Sequence, residues 1–216
     1  MRSDPIKITR NSTVKIEPFE TAETLHLLED ESRLLNSLAR ILEYPTGDWF
    51  DSVEQCKELL PLSDHGEAKY FSDFCIETQT VPLMKLQELY TRTFDLNPVC
   101  ALEVGYHLFG EDYKRGAFLA QLSETESPYQ LGQEHQLPDY LPVCLRLLSS
   151  MEDAEERAAL IGCCLIPALD IMNETFEKKQ SPYGNVIKFL TETLKRLAEK
   201  SVKEAAGKEE TRYRYA

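Results

Sequence analysis

The sequence is poor in the groups from which catalytic and metal centres are built. Its 216 residues include four scattered histidines, and no HxxxH or HExxH motif occurs. Walker loops, GxGxxG and the GxSxG nucleophile motif are absent. The six cysteines include no CxxC pair and lie among apolar neighbours, as reduced core thiols do. We therefore expect no metal site, no cofactor and no disulfide framework.

Long apolar runs are also missing from the sequence. No stretch approaches the roughly 18 to 20 uninterrupted apolar residues that a membrane span needs. The first 15 residues carry four basic side chains, but no apolar run follows them, so we expect neither a secretory signal nor membrane insertion. These observations predict a cytoplasmic protein.

The charge of the chain is acidic and unevenly placed. The net charge is −13, which argues against a nucleic-acid partner because phosphates require a basic surface. Residues 1–16 and 195–216 each carry +3, which leaves −19 for residues 17–194. A body this acidic would attract a basic segment of another chain. The alternative is that the acidic surface only keeps the protein in solution.

Composition and periodicity predict an all-α fold. Only nine glycines occur, and residues that favour helices are abundant. Apolar side chains recur at helical spacing, interrupted by prolines and glycines, in a single-domain helical bundle. We expect a flexible arm over residues 1–28, one helical domain over 29–206 and a frayed tail over 207–216. The predicted helices begin near Ser32, Asp48, His65, Pro82, Ala101, Asp112, Asp139, Glu152 and Asn185.

Three polar side chains invite specific predictions. Asp48 follows a turn and can cap the second helix. Asp139 precedes an apolar run with Pro142 near its start, so we expect Asp139 to be the N-cap of that helix. Arg115 could pair with Asp112 one turn earlier, or with Asp95 or Asp139 across the fold.

A possible acid–base pair is the main argument for an enzyme. His107 follows Glu103 by four residues, so the two would meet on one helix face. A polar helix pair at the edge of a binding surface is favoured over catalysis, because Tyr106 and Phe109 add an apolar floor beside it. For Tyr90, Phe94 and Phe109, plain core packing is the alternative to a place in a site.

Four segments of the sequence resemble one known family. They read YTRTFDLN at 90–97, YHLFGEDYKRGAFLAQL at 106–122, LPDYLPVCLRLL at 137–148 and SPYGNVIKFL at 181–190. In this combination, over about residues 30–195, the chain resembles the NarJ/TorD/DmsD chaperones of molybdenum-containing oxidoreductases. EYPTGDW at 43–49 is similar to the nitrate reductase assembly (delta subunit) branch. Tyr140 stands where the family more usually has histidine.

The resemblance implies a function and a site. The implied protein is a non-enzymatic, cytosolic chaperone that binds the N-terminal segment of an apo catalytic subunit, often a twin-arginine signal or its remnant, until molybdenum cofactor is inserted. A small all-α enzyme using Glu103, His107 and Arg115 is the alternative. We expect a monomer, with a dimer as the alternative. The residues expected to line the peptide groove are Tyr90, Phe94, Asp95, Asn97, Glu103, Tyr106, His107, Phe109, Arg115, Asp139 and Tyr140.

Overall fold

The computed structural model describes residues 22–60, 66–129, 131 and 136–214, with side chains from residues 29 to 200 of these ranges. The described residues are 78% helical. Their one β-type contact is an isolated antiparallel bridge between Glu103 and Tyr140. The predicted all-α, single-domain fold is confirmed.

Ten α-helices follow one another along the described chain. They are α1 (Ala22–Ile41), α2 (Trp49–Leu59), α3 (Ala68–Thr78), α4 (Leu83–Tyr90), α5 (Val104–Phe109), α6 (Tyr113–Glu126), α7 (Leu141–Ser150), α8 (Ala154–Leu160), α9 (Ile166–Phe176) and α10 (Tyr183–Arg214). A π-helical turn, Thr91–Asp95, extends α4, and a second, Ile161–Leu165, joins α8 to α9. Short 3-10 helices occur at Pro98–Cys100 and Ser127–Tyr129.

The two ends of the helical region differ from the sequence prediction. Helix α1 begins at Ala22, so it includes the last seven residues of the predicted arm, while residues 1–21 lie outside the described residues. Helix α10 runs to Arg214 and includes most of the predicted frayed tail. Residues 22–28 contain Ala, Glu and three Leu, and residues 207–214 contain Lys, two Glu and two Arg; the helix propensity of these side chains outweighs that of Gly207.

The core lies between two sets of packed helices. Helix α1 packs against α7 and α2, and α10 packs against α3, α8 and α9. Side chains at helical spacing on α1 are fully buried, among them Leu35, Leu38 and Ile41. Aromatic rings fill the centre, where Tyr183 lies 4.8 Å from Phe94 between ring centroids. The core therefore extends from α1 to the first turns of α10.

The long apolar helix predicted from Glu152 onward is interrupted. Pro167 has no N–H to give to the carbonyl of Cys163, and the π-helical turn ends just before this proline. Within the described residues, Ala154–Phe176 is the one stretch long and apolar enough to cross a membrane, and 39% of its most apolar 18-residue window is buried. The core helix of a soluble protein meets the same criterion, and Leu165 and Leu169 are fully buried here.

The start of α2 corrects a smaller prediction. Asp48 occupies the N-cap position, but its carboxylate makes no capping hydrogen bond. It accepts instead from the Thr46 hydroxyl and from Arg40 Nη2, which lies 2.6 Å from Oδ1. These two contacts lower the pKa of Asp48 to about 2, with the Thr46 hydrogen bond the larger cause. The Asp48 carboxylate therefore bonds to Thr46 and Arg40 instead of to the backbone N–H groups at the start of α2.

Candidate functional site

A groove of about 460 Å³ lies where the end of α4, α5, α6 and the start of α7 meet. It is lined by Tyr90, Phe94, Asp95, Pro98, Ala101, Leu102, Glu103, Tyr106, Glu111, Arg115, Leu137 and Tyr140. Seven of the eleven residues predicted from the sequence are among them. Asn97, His107, Phe109 and Asp139 are not.

Backbone pairing between two distant segments forms this groove. The N–H of Val104 donates to the carbonyl of Asp139 at 2.8 Å, and the N–H of Leu141 donates to the carbonyl of Leu102 at 2.8 Å. This short bridge fixes the start of α5 beside the start of α7. Residues that lie more than 30 positions apart in the sequence therefore line one surface.

Two tyrosines form the buried floor of the groove. The Tyr90 hydroxyl donates to the carbonyl of Leu42 at 3.2 Å and lies 3.0 Å from the Tyr140 hydroxyl. Burial raises the pKa of Tyr140 to about 12 and raises that of Tyr90 further. Both phenols therefore stay protonated over the physiological range, as hydrogen-bonding groups at the base of the groove.

Phe94 both packs in the core and lines the groove, the two alternatives that the sequence left open. It is 4% exposed and packs among aromatic rings of the core, yet its edge lines the groove. The π-helical turn that contains it leaves its neighbour Asp95 exposed at the rim. One residue thus belongs to the core while the next belongs to the surface of the groove.

Asp139 is not the N-cap of α7. That position is Tyr140, and no side chain caps the helix. The Asp139 side chain is fully buried and points towards α5 and α6, where Oδ2 accepts from Arg115 Nε at 2.9 Å and from the N–H of Gly105 at 3.2 Å. Of the three partners considered for Arg115, the structure has Asp139. Asp112 instead caps α6, accepting from the N–H of Lys114 at 2.9 Å.

The predicted pairing of Glu103 with His107 is wrong. Glu103 is the N-cap residue of α5, with extended backbone angles of φ −82° and ψ 103°, and within the described residues no hydrogen bond or ion pair joins its side chain to His107. His107 Nε2 lies 2.6 Å from the carbonyl of Ala101. The imidazole therefore holds the turn before α5 and does not line the groove.

The remaining two predicted residues also have local structural partners. The Asn97 side-chain amide donates to Cys100 Sγ at 3.2 Å, across the 3-10 turn. Phe109 packs on Phe118, with ring centroids 5.5 Å apart, and so connects α5 with α6. Both residues support the segments that form the groove.

The charged lining of the groove is mainly acidic. Asp95, Glu103 and Glu111 contribute carboxylates, and Arg115 contributes a guanidinium already paired with Asp139. Glu111 was not predicted as a lining residue, nor were Pro98, Ala101, Leu102 and Leu137. Glu111 and Leu137 lie within the segments that carry the family resemblance, so that signal could have identified both.

Exposed apolar side chains gather around the groove. In the described part of the chain, eight large apolar side chains are exposed: Leu137 lines the groove, Tyr44 contacts the lining residue Tyr90, and Leu96, Val99 and Tyr113 are within two sequence positions of a lining residue. Tyr44 packs edge-on against Tyr90, and Tyr113 is 84% exposed. Such clustering is typical of a protein-binding surface.

Metal binding has no matching arrangement among the residues that the structure describes. No group of three or more His, Cys, Asp or Glu side chains there is placed to hold a metal ion. The groove instead combines a phenol floor, acidic walls and an apolar rim. This chemistry suits an extended or helical peptide that carries positive charge.

Comparison with curated proteins identifies three informative relatives. The chain is 25% identical over 152 residues to the probable nitrate reductase molybdenum cofactor assembly chaperone NarW of Escherichia coli strain K12, a match that covers 70% of this chain and 63% of the relative. It is 23% identical over 151 residues to the nitrate reductase molybdenum cofactor assembly chaperone NarJ of the same strain, with 68% and 63% covered. The match to the probable nitrate reductase molybdenum cofactor assembly chaperone NarJ of Bacillus subtilis strain 168 is 25% over 179 residues, with 82% and 96% covered.

These matches support a family and a class of protein. The chain spans 63% of the length of the two E. coli relatives. No protein-family model matches it. The relatives are named as assembly chaperones, which agrees with the prediction of a protein that is not an enzyme. The resemblance seen in the sequence is thus confirmed: the chain is similar to the NarJ and NarW nitrate reductase molybdenum cofactor assembly chaperones, at 23–25% identity.

Proposed function

We propose that this protein is a cytosolic, system-specific chaperone that binds the N-terminal segment of the apo catalytic subunit of a molybdopterin-dependent oxidoreductase. In this role it assists cofactor insertion and assembly before export or complex formation. The relatives are named for nitrate reductase, which makes that enzyme's catalytic subunit the first client to test. The segment bound is a twin-arginine signal or its remnant.

One observation carries the proposal: the acidic groove and its apolar rim form one surface. Three carboxylates line the groove, the exposed Leu137 lines it as well, and the exposed Tyr44 contacts Tyr90 of the lining. The exposed Leu96, Val99 and Tyr113 are within two sequence positions of a lining residue. A basic segment with apolar residues would match both features. Electrostatic attraction speeds its capture, and burial of apolar area then holds it.

The same geometry gives less support to the enzyme alternative. Of the three residues that it requires, Glu103 and Arg115 line the groove, whereas His107 is engaged with the carbonyl of Ala101. Arg115 is paired with Asp139 through Nε. A proton transfer between Glu103 and His107 has no direct path in this arrangement. Peptide binding uses the groove as it stands.

Calorimetric titration with a synthetic N-terminal peptide of a nitrate reductase catalytic subunit tests the proposal. We expect wild-type protein to bind the peptide and to lose affinity as salt rises, mainly through slower association. Replacing the groove carboxylates together, in Asp95→Asn, Glu103→Gln and Glu111→Gln, should weaken binding about tenfold at low salt.

Glu124→Gln is the matched control for this titration. Glu124 is an exposed carboxylate on α6, outside the groove lining, so its replacement changes the net charge without changing the groove. Its effect should be small. Each groove substitution is therefore also made alone. Equal losses from Glu124→Gln and from each of these single variants would show that only net charge matters, and no binding at all would reject this client.

A further inference from the structure

Gly105, Arg115 and Asp139 form a tightly packed cluster behind the wall of the groove. A Cβ atom added to Gly105 would lie 2.7 Å from Asp139 Oδ2, 3.0 Å from Phe118 Cδ1 and 3.2 Å from Arg115 Cγ. The first distance is shorter than real Cβ contacts. Any larger residue at position 105 would therefore have to displace the carboxylate that holds Arg115.

The way Arg115 is held leaves part of its guanidinium unused. Nε donates to Asp139 Oδ2 at 2.9 Å, and the Arg115 side chain is 23% exposed and lines the groove. Within the described ranges, neither of its terminal nitrogens has a hydrogen-bond partner. Two donors of a fixed, planar group are thus available on the groove side.

The cluster is not arranged for stability alone. Asp139 is fully buried, yet its Oδ1 atom has no hydrogen-bond partner among the described residues. An unsatisfied carboxylate oxygen is costly, and a buried ion pair often stabilises a fold less than apolar packing of the same volume. The cluster instead fixes the plane and position of the Arg115 guanidinium.

We propose that Arg115 is a specificity-determining residue that binds an oxygen acceptor of the client segment through its two terminal nitrogens. The acceptor is a carboxylate or a main-chain carbonyl. Asp139 and Gly105 are positioning residues, since Asp139 orients the guanidinium and Gly105 leaves the space that Asp139 requires. This inference rests on the proposed function and deepens it.

The position of Arg115 would set the direction of the bound segment. Among the described residues, it is the only cation in a lining that otherwise carries the carboxylates Asp95, Glu103 and Glu111. Basic side chains of the segment are attracted to these carboxylates, whereas an acceptor oxygen is attracted to Arg115. A segment bound in reverse would place like charges together, which opposes binding.

The first test uses the protein without any peptide. Nitrogen-15 NMR of the arginine side chains reports whether the Nε–H of Arg115 is hydrogen-bonded and protected from exchange. We expect a protected resonance in wild type that is lost in Gly105→Ala and weakened in Asp139→Asn. Gly116→Ala is the control, because this helical glycine lies one residue from Arg115 and has open space around its Cα. Protection that persists in Gly105→Ala and Asp139→Asn would overturn the positioning roles. If Gly105→Ala does not fold, Asp139→Asn decides the point.

The second test measures peptide affinity. Arg115→Lys keeps the charge but loses the planar pair of donors, so the nitrate reductase N-terminal peptide should bind about tenfold more weakly. Gly105→Ala should have a similar effect, and Gly116→Ala should have none. Unchanged affinity in Arg115→Lys, with wild type binding, would overturn the inference while leaving the proposed function intact.

A modified peptide separates the two acceptor sources. In this peptide every acidic side chain is replaced by alanine, which has no acceptor oxygen. If the penalty of Arg115→Lys disappears with it, Arg115 binds a side-chain carboxylate; if the penalty persists, Arg115 binds a main-chain carbonyl. Should wild type bind neither peptide, the proposed function fails for this client. A Gly105-dependent Arg115 resonance would still support the positioning roles.

Discussion

Helices α6 and α7 flank the same ion pair but are held in the structure by different means. Seven of the ten residues of α7 are buried, whereas Leu122 is the only buried residue among the fourteen of α6. Helix α7 is therefore fixed by apolar packing against α1. Helix α6 rests on a few contacts, chiefly Arg115 with Asp139 and Phe118 with Phe109. Stability thus resides in α7, and α6 is left with surface for binding.

The largest expected effect comes from the packed helix. Leu145 on α7 is fully buried, so Leu145→Ala removes apolar contacts and leaves a cavity. We expect the free energy of unfolding to fall by about 3 kcal/mol. Urea denaturation measures this loss. At a temperature where the variant is still folded, client peptide affinity should be near wild type, and a parallel loss of affinity would contradict the division between the two helices.

Removal of the Arg115–Asp139 ion pair should lower both the free energy of unfolding and the affinity for the client peptide. Asp139→Ala leaves the Arg115 guanidinium and the Gly105 N–H without their shared partner, at a cost of about 2 kcal/mol in stability. Peptide affinity should fall as well, because Arg115 is no longer fixed. Thermal melts and titrations on one preparation give both numbers. A stability loss with full affinity would make Asp139 purely structural.

The tyrosine floor predicts a response to alkaline pH. Burial raises the pKa of Tyr140 from its ordinary 10.0 to about 12, so the unfolded state loses this proton first as pH rises. The contribution of the neutral phenol to stability is complete below pH 10 and is lost as pH rises towards 12. Urea unfolding of wild type and Tyr140→Phe, followed from neutral pH to about pH 11, checks the sign. The stability of Tyr140→Phe should fall less steeply, and an equal or steeper fall would contradict the burial of this phenol.

The smallest expected change in stability lies on the surface of α6. Tyr113 is 84% exposed at the start of α6, two positions from the lining residue Glu111, so Tyr113→Ala should change the free energy of unfolding by no more than about 0.5 kcal/mol. If the exposed apolar rim takes part in binding, peptide affinity should nevertheless decrease several-fold. Ile76→Ala is the control, since Ile76 is 65% exposed on α3 and away from the groove. Equal effects of the two substitutions on affinity would remove the rim from the site.

The contrast between packed and exposed regions also explains what could be predicted from the sequence. The helices of the core were predictable because Leu35, Leu38 and similar residues recur at helical spacing, interrupted by proline and glycine. The ends of α1 and α10 were not, because they have strong helix propensity but weak apolar patterns. The π-helical turns also leave no periodic signature.

The sequence predicted which segments line the site, but it did not predict which side chains contact one another there. Asp139 looked like a local cap, and Glu103 and His107 like a helix pair, because sequence spacing describes only neighbours along the chain. The bridge between the starts of α5 and α7 prevents both the predicted cap by Asp139 and the predicted pairing of Glu103 with His107. It makes Glu103 the N-cap residue of α5 and turns Asp139 towards Arg115. Such a long-range pairing has no signal in a single sequence.

Photocrosslinking from inside the groove tests the central claim most directly. Tyr106, which lines the groove, is replaced by photoreactive benzoylphenylalanine; in a second protein Tyr70, which lies on α3 beneath Lys188, is replaced in the same way. Each protein is irradiated with the nitrate reductase N-terminal peptide. We expect crosslinks from position 106 that an excess of unlabelled peptide abolishes, and few from position 70. Crosslinks of equal yield from both positions, or from position 70 alone, would contradict binding in this groove.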